Sequence, residues 1–149
     1  MTVSFAMLES IIQLHTGMLF ADKQRIGQIV TAELSFNKLR ALLISLYLER
    51  FGEDDDFKTL RTLLQRAATA EERRNQITHS IWGAGDGAET ITRIKTTAKE
   101  KHGMRFHEES VSSGDLSSFV IEIKGLASEI QDFFHALAKQ GKPFKAPGS

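Results

Sequence analysis

Arg74, Asn75 and His79 are the residues of this 149-residue chain best equipped for chemistry. They lie in Glu71-Glu72-Arg73-Arg74-Asn75-Gln76-Ile77-Thr78-His79-Ser80-Ile81-Trp82-Gly83, which also holds two acids, a second arginine and the only Trp. An imidazole titrates near neutrality and can act as general acid or base. A guanidinium matches two phosphate oxygens at once. An Asn side chain can orient either group. Imidazole and guanidinium together suit proton transfer beside a bound phosphate group. The absence of cysteine excludes thiolate nucleophiles, Cys-bound zinc and disulfides. No metal and no cofactor is expected. The acidic run Glu53-Asp54-Asp55-Asp56 lacks the spaced ligands and the glycine of a calcium loop. His102 and His107, five residues apart on a predicted strand, face opposite sides.

On an ideal helix Asn75 and His79 share a face, one turn apart. Arg74 and His79 do not, since five residues carry about 140° of rotation. A joint Arg–His site therefore needs a loosened helix end or a second chain. In a continuous helix Arg74 also falls on the stripe Leu63, Ala67, Ala70, Arg74, Ile77, Ile81. An arginine in an apolar stripe is costly unless it is paired or faces a partner, and the two alanines leave room for another element to approach.

The elements that position this stretch read as helices. Phe5, Leu8, Ile12, His15 and Leu19 keep a helical period and predict a helix over 4–19, with His15 as a core or boundary histidine. Asp22 can cap a long helix reaching Phe51, apolar on more than one side and suited to be the backbone of a bundle. Within it Glu33 and Asn37 stand one turn apart, either as a solvated pair or as polar support for a site. Gly52 and the acids after it end that helix and begin the next, through Phe57, Leu60, Leu63, Leu64 and Ala67. Thr69-Ala70-Glu71-Glu72 reads as a capping box, which gives the Arg74–His79 stretch its own helix, closed by the glycines from Gly83. A continuous helix over 56–82 is the alternative. Residues 89–109 are β-branched and then alternating, and predict a β-hairpin. Arg93, Lys95, Lys99, Lys101 and Arg105 against Glu100 make it the most basic region, either as a solvated edge or as a phosphate-contacting flap. Ser113 or Asp115 caps a last helix with the stripe Leu116, Phe119, Val120, Ile123, Leu126, Ile130, Phe133, Leu137, ended by Gly141 and Pro143.

The expected fold is thus mainly α: a bundle of four to five helices over 1–141, with an inserted hairpin at about 89–109 and a loose basic tail over 142–149. The 19 basic and 19 acidic residues cancel, so no net field steers the molecule to nucleic acid or membrane. The longest apolar-rich run, Ala41–Leu48, is too short to span a bilayer, and the first residues lack the pattern of a signal peptide. A soluble cytoplasmic protein without a membrane partner is expected.

Arg74-Asn75-Gln76-Ile77-Thr78-His79, near a helix end late in an all-helical plan with a long closing helix, resembles the signature of the HEPN superfamily (higher eukaryotes and prokaryotes nucleotide-binding). The resemblance implies a metal-independent endoribonuclease that works as a homodimer, the motifs of two chains meeting in one cleft. His79 would serve as general acid or base at the ribose 2′-hydroxyl or the leaving oxygen. Arg74 would hold the scissile phosphate, and Asn75 would orient His79 or touch phosphate. The product would be a 2′,3′-cyclic phosphate. Ser80, Glu33 and Asn37 are candidate supporting residues. Arg73, Arg93, Lys95 and Arg105 are candidate RNA contacts. Such a nuclease suits a toxin or a phage-defence effector, with an antitoxin or regulatory protein as a further partner. Two features depart from the pattern: the neutral net charge and the hairpin after the motif. The superfamily also includes members that bind without cutting. The alternative is a non-catalytic module acting through a partner protein or nucleotide, with Arg74 in an interface salt bridge and His79 as a helix-end cap. A purely structural role would pair Glu71 or Glu72 with the arginines and leave His79 solvated.

Overall fold

A computed structural model describes residues 1–20, 23–85, 87, 90–99 and 103–142. The order is α1 (Thr2–Met18), α2 (Gln24–Ala32), α3 (Phe36–Phe51), α4 (Asp55–Thr78), β1 (Ile81–Ala84), β2 (Thr90–Lys99), β3 (Gly103–Ser112) and α5 (Ser113–Lys139). The fold is mainly helical, with one antiparallel sheet in the order β1-β2-β3. Among the described residues no helix is long and apolar enough to cross a membrane.

The core is built where the apolar stripes meet. Phe5, Leu8 and Ile12 of α1 pack with Leu39, Leu43 and Tyr47 of α3, Leu60, Leu64 and Ala67 of α4, and Ile123, Leu126 and Ile130 of α5. Each fully buried Leu or Ile contributes roughly 1.5–3 kcal/mol. α1 touches all four other helices, so α1, and not the 22–51 segment, is the centre of the bundle.

That segment is not one helix. α2 ends at Ala32, Glu33 has φ −101° and ψ 5°, and Ser35 is extended at the N-terminus of α3. Two tertiary contacts set the break. Gly27 lies so close to α1 that a Cβ there would come within 2.7 Å of the Phe20 ring and 2.8 Å of the Gly17 carbonyl oxygen. Phe36 must instead turn inward, where its ring meets Phe5 at 4.9 Å. A straight helix cannot satisfy both. Asp22, the expected cap, lies outside the described residues. Glu33, the C-cap of α2, and Asn37, in the first turn of α3, are consequently not on one helix, and both are exposed.

α4 is continuous from Asp55, so the expected capping box at Thr69 does not form. The Thr69 hydroxyl donates to the Gln65 carbonyl at 3.3 Å, as in a helix interior. Buried Leu63, Leu64, Ala67 and Ala70 keep one face of the helix in the core through this point and override the local signal. The cap that does form is Asp54. Its carboxylate accepts from Phe57 N at 2.7 Å, from the Tyr47 hydroxyl at 3.2 Å and from Lys142 Nζ at 2.7 Å. Lys142 also pairs with Asp56. The 142–149 segment is therefore tied down at its first residue, and the rest of it lies outside the described residues. The Lys142 ammonium holds the Asp54 carboxyl below the usual carboxylate range, against the cost of burial. The Tyr47 hydroxyl is pushed up to about 12, chiefly by burial.

The hairpin is longer than expected, reaching Ser112, and it gains a third strand. Ile81↔Ile94 and Ala84↔Ile91 pair β1 with β2, and Thr90↔Ser112 and Lys99↔Gly103 bound the β2–β3 ladder. The cap of α5 is Ser112, neither Ser113 nor Asp115, and Asp115 completes its capping box from the third position. α5 buries Phe134 fully, while the expected Phe133 packs half-buried against the core. The His15 ring, 6% exposed, stacks on Phe134 at 4.2 Å.

Two outcomes are expected. Asp54→Ala removes the α4 cap and the acceptor of the Tyr47 hydroxyl, and leaves Lys142 with Asp56 alone as its carboxylate partner; stability in urea should fall by about 1–2 kcal/mol. Burial, helped by the charge of His135, lowers the His15 pKa from 6.5 to about 4. As pH falls from 6.5 towards 4 the unfolded chain binds a proton at His15 that the native chain refuses, so stability is lost across that window. Urea midpoints of His15→Leu should vary less with pH there than those of the wild type, by the equivalent of about 1–3 kcal/mol.

Candidate functional site

The last turn of α4 is closed by three donors. His79, the C-cap at φ −101° and ψ 9°, donates its N–H to the Asn75 carbonyl at 3.0 Å. The Ser80 hydroxyl donates to the Gln76 carbonyl. Trp82 Nε1 donates to the Ile77 carbonyl at 3.0 Å. Helix C-termini leave their last carbonyls without internal partners, and here backbone, hydroxyl and indole take three in succession. The expected stop at Gly83 thus moves forward to Thr78, and Gly83 sits inside β1. The β-branched Ile81 then pairs with β2, where its neighbours across the ladder favour strand over helix.

This turn leaves His79 exposed at the rim of an open cleft of about 270 Å³, lined by Gln76, His79, Ser80, Ile81, Ile94 and Lys95. Of the expected site residues, His79, Ser80 and Lys95 meet here. Gln76, Ile81 and Ile94 line the cleft without having been anticipated from the sequence. Gln76 stands three residues before His79, a spacing that would have placed it on the same side of the helix.

Arg74 is elsewhere. Its guanidinium lies over the Phe5 ring of α1, 4.4 Å from the centroid, and its Nε is buried without a hydrogen-bond partner among the described residues. Neither Glu71 nor Glu72 pairs with it. Glu71 instead faces Arg40 at 4.0 Å, and Arg40 also holds the Asn37 side chain at 3.0 Å and the Leu64 carbonyl at 3.3 Å. Asn37 thus braces α3 against α4 through Arg40. Neither it nor Glu33 lines the His79 cleft. Asn75 is half-buried, and its backbone carbonyl receives His79 N–H.

The expected RNA contacts divide. Arg73 lies over Phe119 at 4.4 Å and reaches Glu122 at 3.4 Å. Arg93 pairs with Glu109 across the ladder at 2.6 Å, with only 11% of its side chain exposed. Both line a second cleft of about 270 Å³ together with Ile77 and Asp115. Lys95 and Arg105 are exposed and make no ion pair among the described residues. His102 lies outside the described residues. Asp54 and Asp56 of the acidic run are engaged by Lys142. Among the described residues no group of three or more His, Asp or Glu side chains could hold a metal ion.

No protein-family model, curated protein or solved structure matches the chain.

The two motif residues should separate in a stability assay. His79→Ala, at an exposed helix end, is expected to change unfolding free energy by less than about 0.5 kcal/mol. Arg74→Ala loses the contact with the Phe5 ring and the packing of its aliphatic stem, and should cost about 1–2 kcal/mol.

Proposed function

We propose that this chain is a metal-independent endoribonuclease of HEPN type that acts as a homodimer. The observation that carries the reading is the exposed His79 imidazole at a cleft where a hydroxyl, an amide and an ammonium (Ser80, Gln76 and Lys95) are its polar neighbours. His79 takes the proton of a ribose 2′-hydroxyl, and the oxygen attacks the adjacent phosphorus. The bond to the 5′-oxygen breaks, and that oxygen leaves with a proton from an imidazolium. The products are a 2′,3′-cyclic phosphate and a 5′-hydroxyl. Charge accumulates on the phosphoryl oxygens during attack, and cations placed there stabilise it. Lys95 lies at the cleft. Arg74 packs on Phe5 away from His79, so its role on the scissile phosphate calls for a second copy that brings its Arg74 to this His79. Unrestrained RNA cleavage harms the cell that makes it, which is why a toxin or phage-defence role with an antitoxin or regulatory protein belongs to this reading.

The seating of Arg74 on Phe5 favours a second reading. There the chain is a non-catalytic module that docks on a partner protein or nucleotide, and Arg74 is part of its packing.

Purified protein is to be incubated with mixed cellular RNA in EDTA beside Arg74→Ala and His79→Ala. The nuclease reading expects cleavage that leaves 2′,3′-cyclic phosphate ends, slowed about 100-fold or more in each variant. Equal cleavage by all three proteins points to a contaminant, and no cleavage by any favours the docking module.

A further inference from the structure

A cavity of about 160 Å³ lies between α1 and α5 and shares no residue with the clefts at His79 and Arg93. One face of each helix walls it. Ile11, Leu14 and His15 of α1 and Gln131, Phe134 and His135 of α5 follow the same i, i+3, i+4 spacing, which puts each trio on one side of its helix.

His15 is the unusual member. Its ring is only 6% exposed and stacks on Phe134, yet neither ring nitrogen has a hydrogen-bond partner among the described residues. A neutral imidazole carries one N–H donor and one acceptor nitrogen. Leaving both idle away from water costs free energy, and buried polar groups are as a rule hydrogen-bonded. An idle imidazole in the wall of a cavity therefore calls for a bound molecule that supplies the missing bond.

The cavity sets the class of that molecule. An apolar space of about 150 Å³ holds one benzene ring. Among the described residues no Asp, Glu, Lys or Arg lines this cavity, and burial keeps His15 neutral by lowering its pKa to about 4. An ionic ligand would find no counter-charge there. The His15–Phe134 ring pair and the Met18 thioether, which also lines the space, suit an aromatic ring better than an alkyl chain. We propose that the α1–α5 cavity binds an uncharged monocyclic phenol, whose ring fills the apolar space and whose hydroxyl hydrogen-bonds the His15 imidazole. A hydroxyl both donates and accepts, so it meets either tautomer of the ring. A second copy of this chain does not supply the group. Its only tyrosine, Tyr47, is fully buried, and its only tryptophan, Trp82, donates its indole N–H to the Ile77 carbonyl. The site stands independently of the ribonuclease reading.

The test titrates protein carrying nitrogen-15-labelled histidine with phenol, toluene and benzoate in turn, at neutral pH. Wild type is compared with His15→Phe, which keeps a ring and removes its nitrogens. Phenol should bind wild type saturably and move the imidazole nitrogen resonances of His15, while those of His79 stay in place. Toluene should bind about ten-fold more weakly for want of one hydrogen bond, and benzoate should not bind at the concentration that saturates phenol. In His15→Phe phenol and toluene should bind alike. Equal affinity of the wild type for phenol and toluene overturns the hydrogen bond and the proposal with it. Benzoate bound as tightly as phenol overturns the uncharged class. No saturable shift with phenol leaves His15 to water and overturns the site. The wild-type titrations decide the matter even where His15→Phe fails to fold.

Discussion

The end of α4 is the constraint on which the rest of the site depends. Three consecutive carbonyls, of Asn75, Gln76 and Ile77, are taken by the His79 amide, the Ser80 hydroxyl and the Trp82 indole. A helix end buried without such partners would be destabilised by the unpaired groups. With them, the chain leaves the helix within two residues and enters β1. That fixes where the sheet starts and holds His79 at the edge of both structures. The imidazole is exposed because it occupies the cap, and the cleft exists because helix and strand diverge there.

The same geometry divides the motif. Arg74 comes one turn before the cap and still belongs to the helix, on the side that meets α1. His79 belongs to the turn and faces the sheet. Their separation by helix rotation is preserved, since α4 stays regular up to Thr78. The ring of Phe5 gives Arg74 a place without a carboxylate, and this is how an arginine is tolerated in line with Ala67 and Ala70. A catalytic site using both residues is therefore a site between chains.

What was legible in the sequence follows the range of the forces involved. α1, the start of α4 and the length of α5 were readable because burial stripes at helical period are local and strong. The hairpin was readable from its β-branched residues and two-residue alternation, which are local signals too. The break at Glu33–Ser35 was not, because it is set by Gly27 against Gly17 and by Phe36 against Phe5, contacts between helices that no local pattern records. The capping box at Thr69 was a true local signal overruled by the core packing of Leu63 through Ala70. β1 was hidden because a four-residue strand is decided by its partner strand, with which it pairs from Ala84↔Ile91 to Ile81↔Ile94. The motif itself was visible, and so was the angular mismatch between its arginine and histidine. Of its surroundings, Gln76 follows from its helical spacing to His79, whereas Ile81 and Ile94 join it only once helix and sheet are placed side by side.

The central claim is that Arg74 of one copy and His79 of another form one RNA-cleaving site. Mixing Arg74→Ala with His79→Ala, after unfolding and refolding them together, tests it most directly. Each variant alone should be inactive. In the mixture, dimers that hold one of each contain one intact Arg74–His79 pair across the interface, so cleavage should return to a measurable fraction of the wild-type rate. A mixture as inactive as its components, beside an active wild type, would contradict the account.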